Sequence, residues 1–232
     1  MIEARYTSGE HLAKVPDWHI EESPWKARHI ASILRRNKLA PRTIGEVGCG
    51  FGEVLRQLQM RLPEDRVFWG YEISPQALEH ANERTNERLH FKLADIGQEQ
   101  DTFFDLLLVL DVVEHVEDYI GFLRSIQPKS QYKILQIPLD LSVQTVLRGT
   151  VFHRLRESLG HIHYFTKDTA LDTLKDAGYE VLDYRYTSSS LELPTTVLTV
   201  KLMWWPRKLF FALNQDLTAR VLGGFRLMVL AK

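Results

Sequence analysis

Three glycines at alternate positions, Gly48, Gly50 and Gly52, lie between a short apolar segment and an amphipathic one. The segment before them, 43–47, has the composition of a strand, and the apolar residues after them recur with the period of a helix that ends at Pro63. Glycine accepts backbone angles that other residues resist, and it lets a ligand lie against the main chain. Because the free N–H groups at a helix start point toward such a ligand, this turn predicts a site for a nucleotide-like molecule.

Two acidic residues follow the next two predicted strands. Glu72 ends the apolar segment 67–72, and Asp95 follows the segment 89–94. In open α/β sheets, a carboxylate after the second strand accepts hydrogen bonds from two ribose hydroxyls. An acid after the third strand could bind the exocyclic amine of adenine. The next segment, 104–110, is apolar almost throughout, which is typical of a parallel strand buried on both faces.

Two acids and a histidine lie just after this fourth strand, within residues 111–115. They would lie at the carboxyl edge of the sheet, where ligands bind in such folds. Asp111 and His115 could line an acceptor pocket, with His115 as a general base, because an imidazole titrates in the range that suits proton removal from a hydroxyl or phenol. Two alternatives stay open. The same side chains could hold a divalent metal, or they could be structural, with Glu114 capping a helix over 117–126.

A second pair of histidines lies further along, in the segment 161–166. His161 and His163 would point the same way in an extended chain, which could suit a metal. No cysteine and no clear third ligand lie near them in the sequence, so we predict no metal site. We expect His163 or His161 to be a second candidate base, and the alternative is a histidine that is hydrogen-bonded into a loop.

The order and spacing of these segments resemble those of class I S-adenosylmethionine-dependent methyltransferases. The chain carries E-x-G-x-G-x-G over 46–52, then Tyr-Glu-Ile-Ser over 71–74, Ala-Asp-Ile over 94–96, and the stretch 104–116. The match covers roughly residues 43 to 138, and the pattern is similar to that of the bacterial type 11 and type 23 methyltransferases. The segments around Trp25 and over 161–166 also resemble that group.

The resemblance implies transfer of a methyl group from S-adenosylmethionine to a small or amphiphilic acceptor, with oxygen as the expected acceptor atom and S-adenosylhomocysteine as the product. It implies that residues of these motifs, and one N-terminal tryptophan, bind the donor: Glu46, Gly48, Cys49, Gly50, Gly52, Glu72, Ile73, Asp95, Ile96, Asp111, Val112 and Trp25. Glu46 would lie near the methionine part of the donor. We interpret Cys49 as a small turn residue, since the sequence offers no partner that would lower its thiol pKa.

The resemblance also implies an α/β fold: a Rossmann-like three-layer α/β/α sandwich whose seven-stranded, mostly parallel sheet has an antiparallel last strand. We expect a single methyltransferase domain over 1–232. Residues 1–41 are expected to form a helical flap, with 1–16 only partly ordered and with Trp18, His19 and Trp25 over the cofactor. Residues 139–163 and 191–222 are expected to form lid-like inserts on the substrate side.

The second insert combines aromatic and basic residues. It contains Val197, Trp204 and Trp205, and Lys201, Arg207 and Lys208 lie among its apolar residues. This composition is compatible with a lid or core, with a contact between the subunits of a homodimer, and with a helix on a membrane surface. A peripheral membrane contact would involve residues 197–213.

The composition of the chain limits the classes of partner that it could bind. A net charge of −1 over 232 residues argues against a nucleic-acid surface, so we expect a small-molecule acceptor and no nucleic acid. The single cysteine excludes an intrachain disulfide framework and a cysteine zinc cluster. The first residues lack the apolar core of a signal peptide, and no segment reaches about 18 consecutive apolar residues. A cytoplasmic protein is therefore expected.

Two rival functions remain at this stage. A dehydrogenase that uses NAD would carry G-x-G-x-x-G, or a Tyr-x-x-x-Lys pair with an upstream serine, whereas the glycines here alternate. A protein that keeps the fold, and even the cofactor, without catalysis is the second rival. The acids Glu46, Glu72 and Asp95 argue against lost cofactor binding.

Overall fold

The structure is a computed structural model that describes residues 2–14, 16–195 and 198–232. Val197, part of the predicted membrane-contact segment, lies outside the described residues. Among the helices that the structure describes, none is both long and apolar enough to cross a bilayer.

Seven strands form one sheet in the order β3-β2-β1-β4-β5-β7-β6. They are β1 Thr43–Val47, β2 Val67–Glu72, β3 Leu89–Leu93, β4 Phe104–Leu110, β5 Ser130–Pro138, β6 Val181–Thr187 and β7 Arg226–Ala231. The strand β7 runs antiparallel to both of its neighbours, and the other pairs are parallel. The predicted sheet, with an antiparallel last strand, is confirmed. The order reverses between β1 and β4, and the carboxyl ends of strands at such a reversal form a ligand-binding crevice.

Helices cover both faces of this sheet. They are α1 Ile2–Thr7, α2 Glu10–Lys14, α3 Ser23–Arg36, α4 Glu53–Gln59, α5 Pro75–Asn82, α6 Tyr119–Ile126, α7 Val143–Arg148, α8 Thr150–Ser158, α9 Lys167–Asp176, α10 Ser189–Glu192, α11 Leu198–Leu213 and α12 Gln215–Leu222. A hydrophobic core lies on each face of the sheet, and alternate residues of β4 contribute to the two cores. Leu106 and Leu108 pack with α3 and α4, while Leu107 and Val109 pack with α6 and α9. The predicted three-layer arrangement is therefore confirmed.

Local signals explain why several of these elements begin where they do. Ser74 accepts a hydrogen bond from the Ala77 N–H at the start of α5, and Pro75 occupies the first helical position. Asp118, not Glu114, caps α6, because its Oδ1 accepts the Gly121 N–H at 2.8 Å. The interpretation of Glu114 as a helix cap is therefore wrong.

The described part of residues 1–16, which we expected to be only partly ordered, forms α1 and α2. Contacts distant in sequence order it. Arg5 donates hydrogen bonds to the carbonyl oxygens of Arg156, Glu157 and Ser158 at 3.0–3.1 Å. These carbonyls lie in the last turn of α8, where a cation is favourable.

Candidate active site

A cavity of about 680 Å³ opens at the carboxyl edge of the sheet, across the strand reversal between β1 and β4. Its volume is in the range that small-molecule sites occupy. One end lies among the glycine turn and the ends of β1, β2 and β3, and the other lies among the residues after β4, β5 and α8. Hereafter these are called the glycine end and the histidine end.

The glycine turn forms the floor of the glycine end. Gly48, Gly50 and Gly52 all have positive φ angles, of 62°, 53° and 73°. A Cβ at Gly50 would come within 2.4 Å of the Trp18 ring, and a Cβ at Gly52 within 2.3 Å of the Phe91 ring. Both positions therefore need glycine for sterics as well as for backbone angle. Gly48 lines the cavity, whereas Gly50 and Gly52 support it from behind.

Glu72 joins the glycine turn to the start of α5. Its Oε2 accepts the Gly50 N–H at 2.8 Å, and its Oε1 accepts the N–H groups of Ile73 and Ser74 at 2.9 Å. Only 3% of the residue is exposed, and it lines the cavity together with Ile73. Burial raises the pKa of Glu72, while the three N–H groups oppose that rise. The carboxylate thus holds the turn and still borders the ligand space.

Asp95 and Ile96 close the far side of the glycine end. The Oδ1 of Asp95 accepts the Gly97 N–H at 2.8 Å, while the side chain stays exposed. Ile96 is fully buried beneath it, and both residues line the cavity. Cys49 also lines the cavity, and burial raises its thiol pKa well above the usual range. A protonated thiol is a poor nucleophile, so the interpretation of Cys49 as a turn residue agrees with its surroundings.

Two acids occupy the middle of the cavity, one buried and one partly buried. Glu46 is 3% exposed, and its Oε2 has no hydrogen-bond partner among the described residues. Burial raises the pKa of Glu46 to about 8, against the lowering effect of Lys26. Asp111 has a left-handed backbone, with φ 55°. Burial opposes its ionisation, but Lys26 and Arg226 outweigh burial and lower its pKa to about 2.

The cations that hold Asp111 come from distant elements. Lys26 of α3 lies with Nζ 2.7 Å from Asp111 Oδ2, and Arg226 of β7 lies with Nε 3.3 Å from Oδ1. Arg226 also pairs with Glu22 and lies over the ring of Trp25, 5.6 Å from its centroid. Trp25 is fully buried and does not line the cavity. Its predicted role toward the cofactor would therefore be indirect, through Arg226 and Asp111.

Two histidines and two acids form the histidine end. His161 Nδ1 lies 2.7 Å from Asp140 Oδ2, and His115 Nδ1 lies 3.1 Å from the Gly160 carbonyl oxygen. Since a carboxylate or a carbonyl can only accept, each Nδ1 is the donor. The Nε2 of each neutral ring then carries the lone pair. The rings meet edge to face, with centroids 4.9 Å apart.

Glu114 lies beneath these rings and is fully buried. Both of its carboxyl oxygens lack a hydrogen-bond partner among the described residues, and one lies 3.8 Å from His115 Nε2. Burial, and then the charge of Asp111, raise the pKa of Glu114 well above its usual range. Ligand atoms of Glu114, His115 and His161 all lie within 4.8 Å of one another, so these three side chains could hold a metal ion.

His163 lies outside the cavity. Its Nε2 is 2.9 Å from the Val116 carbonyl oxygen, and its ring packs 4.5 Å from that of Tyr119. Its backbone N–H donates to the Glu114 carbonyl. The structure therefore brings His115 and His161 together and places His163 behind them, where it holds the loop.

Chain segments from both ends of the sequence cover the cavity. Trp18 stacks on Phe51 with ring centroids 5.7 Å apart, and Tyr6 meets the edge of His115 at 5.8 Å. Leu155 and Leu159, on and just after α8, line the opposite rim. Of the described residues in 191–222, none lines the cavity; Ser189 and Ser190 before them and Gly224 to Arg226 after them do.

Three site residues were not identified from the sequence as parts of the site: Lys26, Asp140 and Arg226. Glu114 was considered only as a possible metal ligand or a helix cap, and its burial was not predicted. Glu114 follows two valines, and an acid next to such an apolar run is a usable signal of burial. Lys26, Asp140 and Arg226 carry no local signal, because each acquires its role from a partner far away in the chain.

The comparisons with known proteins agree with this geometry. A family model described as "Methyltransferase domain" matches residues 19–184. The chain belongs to this family. No curated protein matches the sequence. Several solved structures have the same fold, and at the identities found the likeness concerns the fold alone.

Three of these structures cover most of the chain. Magnesium protoporphyrin IX methyltransferase from Synechocystis PCC 6803, with bound S-adenosylhomocysteine, covers 90% of this chain and 82% of its own, at a TM-score of 0.60 and 15% identity. The plantazolicin methyltransferase, in complex with an analogue of desmethyl-plantazolicin and S-adenosylhomocysteine, aligns with 99% of this chain over 92% of its own length. Its TM-score is 0.64 and its sequence identity is 15%. An S-adenosylmethionine-dependent methyltransferase from Mesorhizobium loti aligns with 83% of this chain over 90% of its own length. Its TM-score is 0.54 and its sequence identity is 19%.

Proposed function

We propose that this chain transfers a methyl group from S-adenosylmethionine to an oxygen atom of a small or amphiphilic acceptor. The observation that carries the proposal is one continuous cavity that joins the glycine turn and Glu72 to the pair His115 and His161. Direct transfer requires a donor site and an acceptor site in one cavity, because the reacting atoms must be aligned and shielded from water.

The glycine end fits the proposed donor. The main chain of Gly48 and Cys49 and the side chains of Glu72, Ile73, Asp95 and Ile96 would hold its adenosine part, with Gly50 and Gly52 shaping the turn. Val112 also lines this part of the cavity. When bound, S-adenosylmethionine supplies a methyl group on a sulfonium that is already activated for displacement. The buried and unpartnered Oε2 of Glu46 fits a cationic ligand, since a buried carboxylate is costly without a positive partner.

The histidine end fits proton removal from an acceptor. Asp140 holds His161 as the tautomer whose Nε2 can take a proton, as in other acid–histidine pairs. His115 is the second candidate base, and His163 positions the loop that carries Glu114. Residues 1–41 would act as the flap, and 139–163 as a lid, because Arg5 ties these two segments together over the cavity.

A metal-assisted version of the same reaction is the second candidate. Glu114, His115 and His161 offer three ligand atoms close together. Each ring also donates its Nδ1–H to a carboxylate or carbonyl oxygen, and such a hydrogen bond orients a histidine that binds a metal through Nε2. A divalent ion there would orient and activate an acceptor oxygen. Activity that is lost after chelation, and restored by a divalent ion, would favour this version over base catalysis by His161.

Calorimetric titration with S-adenosylmethionine, S-adenosylhomocysteine and NAD in parallel tests the cofactor. We expect the two adenosyl ligands to bind and NAD not to bind. Binding of NAD alone would contradict the assignment of the glycine end. Incubation with methyl-labelled donor and a mixture of small hydroxylated compounds then separates an enzyme from a scaffold, because a non-catalytic member of the family would bind the donor and never transfer the label.

A further inference from the structure

Helix α11 carries an exposed apolar stripe, defined by Leu198, Leu202, Trp205, Leu209 and Leu213. Their spacings are four, three, four and four residues, which place all five on one face of a helix. Each of the five is 60–74% exposed. Scattered exposed apolar side chains are normal, but a continuous row of large ones marks an interaction surface.

The opposite face of α11 is anchored to the protein. Trp204 Nε1 donates to the Leu191 carbonyl oxygen at 3.1 Å, and Arg207 donates to the Leu222 carbonyl oxygen at 3.2 Å. Phe211 stacks on Phe225, with centroids 4.9 Å apart and planes 11° apart. The stripe is therefore the outer surface of a helix that is already packed on its inner side.

The charged side chains of α11 itself are all positive. No acidic residue occurs between Glu192 and Asp216, although acids outnumber bases by one in the whole chain. Lys201 and Lys208 are both exposed, and Lys208 Nζ lies 4.4 Å from the centroid of the Trp204 ring. Helix α7 lies next to α11, through an Arg207–Gln144 hydrogen bond, and it also lacks acids. Three of its apolar side chains, Val143, Val146 and Leu147, are more than half exposed.

We propose that the α11 stripe docks on the surface of a bilayer that contains anionic lipids. Helices that lie in the membrane interface combine leucine and tryptophan on one face with lysine at its borders. The cores of protein–protein interfaces are depleted in lysine, so a second copy of the chain fits this surface less well. The absence of acids across 193–215 suits negatively charged headgroups, which repel carboxylates and attract lysines.

Docking would bring the cavity close to the lipid. The inner contacts of α11 reach Leu191 and Phe225, and Phe225 and the neighbouring Ser190 line the cavity. The acceptor would then be an amphiphile that is taken from the bilayer. This last step rests on the proposed methyl transfer, whereas the docking itself does not.

Co-sedimentation of the full chain with vesicles tests the docking without any methyl transfer. Vesicles of phosphatidylcholine are compared with vesicles that also contain phosphatidylglycerol. We expect binding to the anionic vesicles, with weaker binding as salt is raised. We expect Leu209→Ser and Trp205→Ser to reduce the vesicle partition coefficient by about tenfold each, since each removes a large apolar side chain from the contact.

Matched controls separate the stripe from general surface effects. Phe103→Ser removes a side chain that is 64% exposed elsewhere, and Lys175→Gln neutralises an exposed lysine elsewhere; neither should change partition. Replacing both Lys201 and Lys208 by Gln should abolish the preference for anionic vesicles. No binding to anionic vesicles, or equal losses in Leu209→Ser and Phe103→Ser, would overturn the proposal. So would a dimer in light scattering that Leu209→Ser dissociates while vesicle binding is absent.

Discussion

Glu46 is the residue whose charge state should report cofactor binding. Burial raises the pKa of Glu46 to about 8, so this acid is mostly protonated at neutral pH before a ligand binds. A cationic ligand beside it favours the carboxylate and must therefore release a proton. We expect the affinity for S-adenosylmethionine to increase as pH rises toward 8, with net proton release in calorimetry performed in buffers of different ionisation enthalpy.

Glu46→Gln provides the control for that measurement. The amide keeps the size of the side chain but cannot titrate, so the pH dependence of the affinity between about 6 and 8 should flatten. Equal proton release in Glu46→Gln and in the parent protein would assign the effect to another group.

Glu72 is expected to contribute directly to donor binding. Its carboxylate borders the cavity and also holds the N–H groups of Gly50, Ile73 and Ser74. Replacing Glu72 by Ala should weaken S-adenosylhomocysteine binding by about 1–3 kcal/mol, because charge-assisted hydrogen bonds are lost and the turn loosens. Titration calorimetry measures the loss, and Glu79→Ala, on the exposed side of α5, is the control. Unchanged affinity in a folded Glu72→Ala protein would remove Glu72 from the site.

His161 is the residue on which proton transfer depends in our proposal. His161→Ala should slow turnover by about a hundredfold once an acceptor is known, within the usual contribution of general base catalysis. Asp140→Asn should slow it less, because the ring stays in place while its orientation loosens. Both variants should bind S-adenosylhomocysteine as the parent does. Full turnover in His161→Ala would leave His115, or a metal, as the activating group.

At the scale of elements, the covering of the cavity depends on a contact between helix α1 and the end of helix α8. Arg5 of α1 donates three hydrogen bonds to the last carbonyls of α8, and Tyr6 next to it packs on His115. The carbonyl oxygens at the helix terminus gain hydrogen-bond donors, and the N-terminal segment gains a fixed position. Closure over the ligand would thus be shared by α1, on one side, and by the segment 139–163, on the other.

Arg5→Ala should release that closure without damaging the sheet. We expect S-adenosylhomocysteine to bind about three- to tenfold more weakly, with most of the change in the dissociation rate, since the loss is a few exposed hydrogen bonds. Stopped-flow displacement measures the rate, and Lys14→Ala, which removes an exposed partner of Glu10, is the control. An unchanged dissociation rate in Arg5→Ala would exclude the α1–α8 contact as a gate.

At the scale of the whole molecule, ligand binding should raise the stability of the fold. The glycine turn, the start of α4 and the carboxyl ends of four strands all border one cavity, so a ligand there binds only the folded state. At a hundred times its Kd, S-adenosylhomocysteine should add about 2.7 kcal/mol. For a protein of this size that corresponds to a rise in Tm of about 5–10 °C in differential scanning fluorimetry. An equal rise with NAD would contradict the proposed specificity.

Local sequence signals were sufficient for the elements that surround the glycine turn. The strand β1, the turn and the capped start of α5 were predicted because alternation, glycine and Ser-Pro act over a few residues. The expectation of a seven-stranded, mostly parallel sheet with an antiparallel last strand followed from the resemblance of the ordered motifs to a known family, which stands in for contacts that no local pattern records. The bounds of α1 and α2 within the expected helical flap were not predicted, because α1 is placed by contacts with α8 and His115 that are distant in sequence.

The sequence by itself determined the chemistry available at the carboxyl edge of the sheet: three glycines, the acids Glu46, Glu72 and Asp95, and the histidines His115 and His161. Only the tertiary structure decided which of these side chains meet and in what charge state. Lys26 and Arg226 approach Asp111 from opposite ends of the chain. Glu114 is buried with no hydrogen-bond partner among the described residues, and its pKa is raised as a result. The physical reason is that a buried charge depends on what distant segments pack around it, and a pattern of neighbours along the chain does not record that packing.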